Sequence, residues 1–187
     1  YRQGDMNSSR KKLEQSIAQN PSLAPAYRML GLIYQSMGDF DEADKKYLKS
    51  VNLASSDPDT LNDYAGFLCF QRGDEDKALE YFDKAIRVTL NQNRSMLYSN
   101  AAICAMRNHP QQAENYLRSA LAADSQNSKL IIQMADLAYR QKNYLQARMF
   151  LNRADELVDP SPTTLFLFAR IEDQLGNISK SSKYRTE

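Results

Sequence analysis

The chain has 187 residues, 24 Lys plus Arg against 23 Asp plus Glu, a formal net charge of +1, two cysteines and one histidine. Near-neutrality removes the electrostatic reason to propose nucleic acid or an anionic membrane surface as the main ligand, and a hydrophobic share of 42% is too high for a disordered chain. No apolar run approaches the ~18 residues needed to span a bilayer, so any membrane attachment is expected upstream of Tyr1, which is not a Met.

Residues 1–23 read as the second half of a truncated unit. Gly4-Asp5-Met6 has the composition of a turn, Leu13 and Ile17 lie on one helical face, and Pro21 ends the segment. That face is expected to be partly uncovered, because its partner helix would precede Tyr1. Residues 24–58 read as a pair of helices. In the first, Tyr27, Leu30 and Tyr34 recur at helical spacing around the small Gly31. Gly38 then supplies a left-handed helix end, and Asp39 can cap the second helix, whose apolar face is Ala43, Tyr47 and Val51. Residues 59–93, entered after Pro58, repeat the scheme with Gly66, Gly73-Asp74, Ala78, Phe82, Ala85 and Ile86. Residues 94–127 carry Ala101, Asn108 and Ala113 at the same places; residues 128–161 carry Ala135, Lys142 and Ala147 and close at Pro160. Residues 162–187 hold an eroded copy, Ala169, Gly176 and Ser181. Ser181, Ser182 and Lys183 stand there in place of packing residues, so a frayed or solubilising terminal cap is expected.

Successive copies lie 35, 35, 34 and 34 residues apart, and the aliphatic residues Ile33, Leu68, Ile103, Leu137 and Ile171 keep step with them. A helix-turn-helix unit with a period near 34 resembles the tetratricopeptide repeat, or TPR. The expected fold is all-α: one domain over residues 1–187, a right-handed superhelical solenoid of TPR units. One position disagrees. Asn100 stands where a large aliphatic belongs; turning that helix by one residue would bury Ala101 and Ala102 instead, but would break the ladder at Ile103. The register with Ile103 inside is kept.

Catalytic chemistry finds no support in the sequence. His109 falls in an expected turn beside Pro110, and Cys104, five residues away, has no orienting group with it. Two cysteines and one histidine do not make a zinc site, and neither a phosphate-binding glycine loop nor an EF-hand pattern is present. No enzyme and no cofactor are expected. Cys69 and Cys104 are 35 residues apart, one repeat, hence at equivalent positions of neighbouring first helices. Packed helix axes lie about 8–10 Å apart, which can bring Cα atoms near the ~5.5–6 Å a disulfide prefers. Spacing alone leaves two readings open, a disulfide or a pair of buried thiols.

In stacked helix pairs the first helices line the concave face. The positions pointing there are Arg28, Leu32 and Gln35; Asp63, Phe67 and Phe70; Tyr98, Ala102 and Ala105; Ile132, Asp136 and Tyr139; and Phe166 and Arg170. The middle of this strip is apolar and aromatic, which suits a partner helix or an extended apolar segment. Phe67, Phe70 and Tyr139 are the strongest candidates for contact.

The stretch Leu61-Asn62-Asp63-Tyr64-Ala65-Gly66-Phe67-Leu68-Cys69 resembles a signature of the type IV pilus biogenesis and stability lipoproteins, the PilW/PilF family. Ser99-Asn100-Ala101-Ala102-Ile103-Cys104 is similar to a second cysteine motif of that family, and Gln133 to Tyr139, with Tyr144, Ala147 and Arg148, extends the likeness. Asp63 and Ala102 depart from it, standing where an Asn and a Gly are common. The resemblance implies a periplasmic domain, lipid-anchored at the outer membrane of a Gram-negative bacterium. It implies a pilotin that helps the outer-membrane secretin localise and multimerise, acting as a monomer with the secretin and other pilus assembly proteins as partners. It also implies a Cys69–Cys104 bond, as relatives with this pair bridge it. The alternative is a TPR adaptor of the co-chaperone type, which grips a carboxylate with basic residues. Arg28 is the one cation among the concave positions of the first units, which fits that alternative poorly.

Overall fold

A computed structural model describes the backbone of residues 2–89 and 94–186, and side chains from Met6 onward within those spans. Every regular element among the described residues is helical. The expected repeat boundary at residues 93 and 94 borders a stretch, 90–93, outside the described residues. The chain divides into two compact units, Tyr1–Asn100 and Ala101–Glu187.

Unit 1 begins with α1 (Arg2–Gln19). The turn expected at Gly4-Asp5-Met6 is not there: these residues lie inside α1. The backbone there continues the i to i−4 hydrogen bonding of the helix. Leu13 and Ile17 are half-buried. Helices α2 (Ala24–Met37) and α3 (Phe40–Leu53) follow as a hairpin. Its turn is set by local chemistry: Gly38 is left-handed at φ 79°, and the Asp39 carboxylate accepts from the Glu42 N–H at 3.2 Å. Gly31 matters for packing. A Cβ built on it would sit 2.8 Å from the Tyr47 ring, so only glycine lets α3 seat that ring.

Helix α4 (Pro58–Phe67) is capped by Asp57, which accepts from the Thr60 N–H at 2.9 Å, and it runs on into a π-helical turn, Leu68–Arg72. The Gly73 N–H closes that turn onto the Leu68 carbonyl five residues back. The wider turn is the kind of local insertion that rotates the following side chains. Helix α5 (Glu75–Val88), capped by Asp74, lays Ala78, Phe82, Ala85 and Ile86 into the core. Helix α6 (Arg94–Ala105) crosses from unit 1 into unit 2.

Here the aliphatic ladder fails at one rung. Ile33, Leu68, Leu137 and Ile171 are buried, but Ile103 is 39% exposed while Ala101, Ala102, Cys104 and Ala105 are buried. The expected register of α6 is therefore wrong by one residue. The cause is Asn100, whose amide would cost free energy if buried without partners; the observed rotation lets its Nδ2 donate to Asn62 Oδ1 at 2.9 Å.

Unit 2 continues with α7 (Pro110–Ala123), α8 (Ser128–Arg140), α9 (Tyr144–Asp155), α10 (Pro162–Gln174) and α11 (Ile178–Thr186). His109 is the residue before α7. Lys142, at the glycine position of the repeat, still takes the left-handed conformation at φ 61°, so the turn persists without the glycine that makes it easy. The core gathers Ala135, Ala138, Ala147, Leu151, Phe168 and Ile171. Among the described residues the terminal unit keeps a regular helix, Ile178–Thr186. Ser181 is buried at the small-residue position, and Tyr184 stacks on Phe168 with ring centroids 4.8 Å apart. One aromatic stack and a small buried side chain thus take the place of a wider apolar face. No described helix is long and apolar enough to cross a membrane.

Candidate functional site

In unit 1, α2, α4 and its π-helical turn leave a cavity of about 240 Å³. Leu32, Asp63, Phe67 and Phe70, all expected in the groove, line it. Tyr47 and Phe82 form part of its aromatic wall, and the amides of Gln35, Asn62, Gln71 and Asn100 complete the polar part. Gly66 opens it: a Cβ built there would meet nothing within 4 Å.

Of the three strongest aromatic candidates, Phe67 and Phe70 have different fates. Phe67 is only 1% exposed and packs among Tyr47 at 5.3 Å, Phe40 at 6.3 Å and Tyr64 at 6.4 Å between ring centroids. It is a core residue with an edge on the cavity, not an exposed contact, because α4 turns it under the rings of α3. Phe70, in the π-helical turn, is 55% exposed at the rim. Ala102 and Ala105 are also not groove residues; both are fully buried by the rotation of α6. Tyr98 is half-buried.

Arg28 and Asp63, expected as separate groove charges, pair with each other: Arg28 Nη1 donates to Asp63 Oδ2 at 2.9 Å. Asn62 Nδ2 approaches the other oxygen at 3.4 Å. Burial nevertheless holds the Asp63 carboxyl above its ordinary value, with Arg28 opposing the shift. Burial also pushes the Tyr47 phenol up, with the Asp63 charge adding to it, and its hydroxyl donates a hydrogen bond to Gln35 Oε1 at 2.8 Å.

In unit 2 the expected positions interact among themselves. Arg170 lies over the Tyr139 ring at 4.7 Å and the Phe166 ring at 5.8 Å, and Asp136 accepts from Arg140 at 2.9 Å. Tyr139 and Ile132 pack partly onto the core, and Phe166 is 58% exposed. Cys69 and Cys104 are buried, and both are disulfide-bonded. Among the described residues no group of three or more His, Cys, Asp or Glu is placed to hold a metal ion.

The lining residues missed from sequence, Asn62, Gly66, Gln71 and Asn100, share one signal. Three carry amides and one has no side chain, at positions facing the inside of the hairpin. A polar residue on the inner side of such a helix must find a partner or line a cavity.

Comparison with known proteins agrees with this architecture. Models of the tetratricopeptide repeat match residues 24–57, 56–126 and 105–162. The type IV pilus assembly protein PilF of Pseudomonas aeruginosa is 28% identical over 148 residues, which is 79% of this chain and 58% of that protein. The chain thus spans less than two thirds of that relative. A solved structure of Pseudomonas aeruginosa PilF superposes with TM-score 0.80 at 24% identity, covering 97% of this chain and 82% of that one. PilW, a widely conserved type IV pilus biogenesis factor, superposes with TM-score 0.87 at 22% identity, covering 98% and 84%. With helix hairpins turned at Gly38, Gly73, Lys142 and Gly176, and repeat matches running from residue 24 to residue 162, that span of the chain is built of tetratricopeptide repeats.

Proposed function

We propose that the chain is a protein-binding scaffold of type IV pilus biogenesis whose unit-1 groove holds a segment of a partner. The partner is the outer-membrane secretin, and binding promotes the secretin's localisation and multimerisation, the role of a pilotin. The scaffold works at the periplasmic face of the outer membrane, held by a lipid attached upstream of Tyr1. The observation that carries this reading is the open, aromatic-walled cavity with Phe70 exposed at its rim, since exposed rings beside a preformed cavity are typical anchors for a partner. Similarity to PilF and PilW supplies the pilus context. A carboxylate-gripping adaptor is disfavoured, because Arg28 is already engaged by Asp63.

Within this reading Cys69 and Cys104 bond to each other, a staple across one repeat. Closing a loop of that length in the unfolded chain is worth about 3–4 kcal/mol. Denatured, unreduced protein should then show no titratable thiol; two free thiols would remove the staple.

The functional test is binding of the purified secretin subunit. Phe70→Ala should weaken it by about tenfold or more while leaving the helical circular-dichroism signal unchanged. Full-strength binding by that variant would remove the groove from the mechanism. In cells, a deletion strain should lose surface pili and secretin multimers; normal multimers would leave pilus stability as the role and exclude the pilotin.

A further inference from the structure

We propose that the unit-1 cavity is an arginine pocket, which anchors the partner by one guanidinium placed between Asp63 and the surrounding rings. This rests on the reading of unit 1 as a partner-binding groove and specifies what that groove grips.

The lining has one formal charge, and it is negative: Asp63. Around it stand the rings of Tyr47, Phe67, Phe70 and Phe82. Ring faces attract cations electrostatically and repel anions. The cation already present, Arg28, takes Asp63 Oδ2 and is not part of the lining. Among the described residues, the second oxygen, Oδ1, has only the long 3.4 Å contact from Asn62. Burial already disfavours the charge on Asp63 despite Arg28, so a second cation arriving at Oδ1 would relieve it. Asn100 spends its Nδ2 on Asn62, and its carbonyl oxygen is an acceptor suited to an N–H donor.

These features discriminate between occupants. An apolar side chain would satisfy the rings but would cover Asp63 and the amides without returning hydrogen bonds. Lysine could reach the carboxylate, but its ammonium neither stacks flat nor offers a planar fork of donors. Arginine does both. Unit 2 shows the ring half of this arrangement, with Arg170 over Tyr139 and Phe166 at 4.7 and 5.8 Å. Access depends on Gly66, since the space beside it is open where any side chain would intrude.

The probes are N-acetyl-arginine amide, N-acetyl-lysine amide and N-acetyl-leucine amide, each titrated into the intact, disulfide-bonded chain and followed by the side-chain amide resonances of Asn62 and Asn100. The arginine derivative should bind saturably and about tenfold more tightly than the leucine derivative, with lysine between them. Gly66→Leu, which fills the open space, and Asp63→Asn, which removes the charge, should each weaken arginine binding by about tenfold with helicity intact. The pair guards against misfolding, because Gly66→Leu keeps the Arg28–Asp63 bridge and replaces a helical glycine by a better helix former. Leucine binding as tightly as arginine, arginine binding that survives Gly66→Leu, or no arginine binding at tens of millimolar would each overturn the pocket. Secretin binding, measured separately, would still decide the groove itself.

Discussion

At the register positions of Asp63 and Phe67 in unit 1, unit 2 carries Ile132 and Asp136 in one repeat and Phe166 and Arg170 in the next. Unit 1 surrounds these positions with a cavity of about 240 Å³ lined by rings and amides. Unit 2 uses the same positions on itself: Arg170 covers Tyr139 and Phe166, and Asp136 is bridged to Arg140. One repeat framework thus produces an open site in one place and a self-occupied surface in another. The difference lies in where the cation sits. In unit 1, Arg28 lies one repeat before Asp63 and holds the carboxylate from its own side; in unit 2, Arg170 lies one repeat after Tyr139's helix and reaches back over the ring.

The sharpest way to probe the contrast is to separate wall from rim in unit 1. Phe67→Ala should cost about 3–5 kcal/mol, because the ring is only 1% exposed among three others. Phe70→Ala, at 55% exposure, should change stability little. Urea melts of the two variants check this, and equal losses would mean that the rim is core as well. Next in size are two glycines of the same repeat position. Gly31→Ala should cost about 1–3 kcal/mol by pushing on the Tyr47 ring, whereas Gly66→Ala should stabilise by up to about 1 kcal/mol, since it meets nothing and favours the helix. Thermal melts showing the same sign for both would contradict an open cavity at Gly66.

In unit 2, Arg170→Ala should expose the faces of Tyr139 and Phe166 at a cost of about 0.5–1 kcal/mol, and tyrosine fluorescence should report the change around Tyr139. Unchanged stability and fluorescence would mean that the guanidinium is not held there. The smallest effect concerns pH. The Asp63 carboxyl is raised in the folded state, so its contribution is fully present below the unfolded pKa and is lost as pH rises through the folded pKa. The stability of the parent chain relative to Asp63→Asn should therefore decline as pH rises through the carboxylate range. A difference that grows with pH would show that pairing with Arg28 outweighs burial.

Helix hairpins and their turns were legible in the sequence because they are decided by neighbours along the chain. Gly38, Gly73 and Gly176 are left-handed, Asp39 and Asp74 cap, and the small residues Ala43, Ala78, Ala113 and Ala147 are buried. The rotation of individual helices was not. Each residue turns a helix by about 100°, so where adjacent positions are all apolar, as at Ala101, Ala102 and Ile103, periodicity cannot choose the inward face. The Asn62–Asn100 hydrogen bond chose it.

The sequence by itself determined the repeat, its length, the turns at Gly38, Gly73 and Gly176 and the likeness to pilus biogenesis proteins, since these follow from local backbone chemistry and from motifs read in order. Only the tertiary structure decided that Phe67 belongs to the core and Phe70 to the rim, that Arg28 and Asp63 are partners, and that Gly66 opens a cavity. Those outcomes depend on side chains from different helices competing for the same space and the same hydrogen bonds, a contest that no single segment of the chain contains.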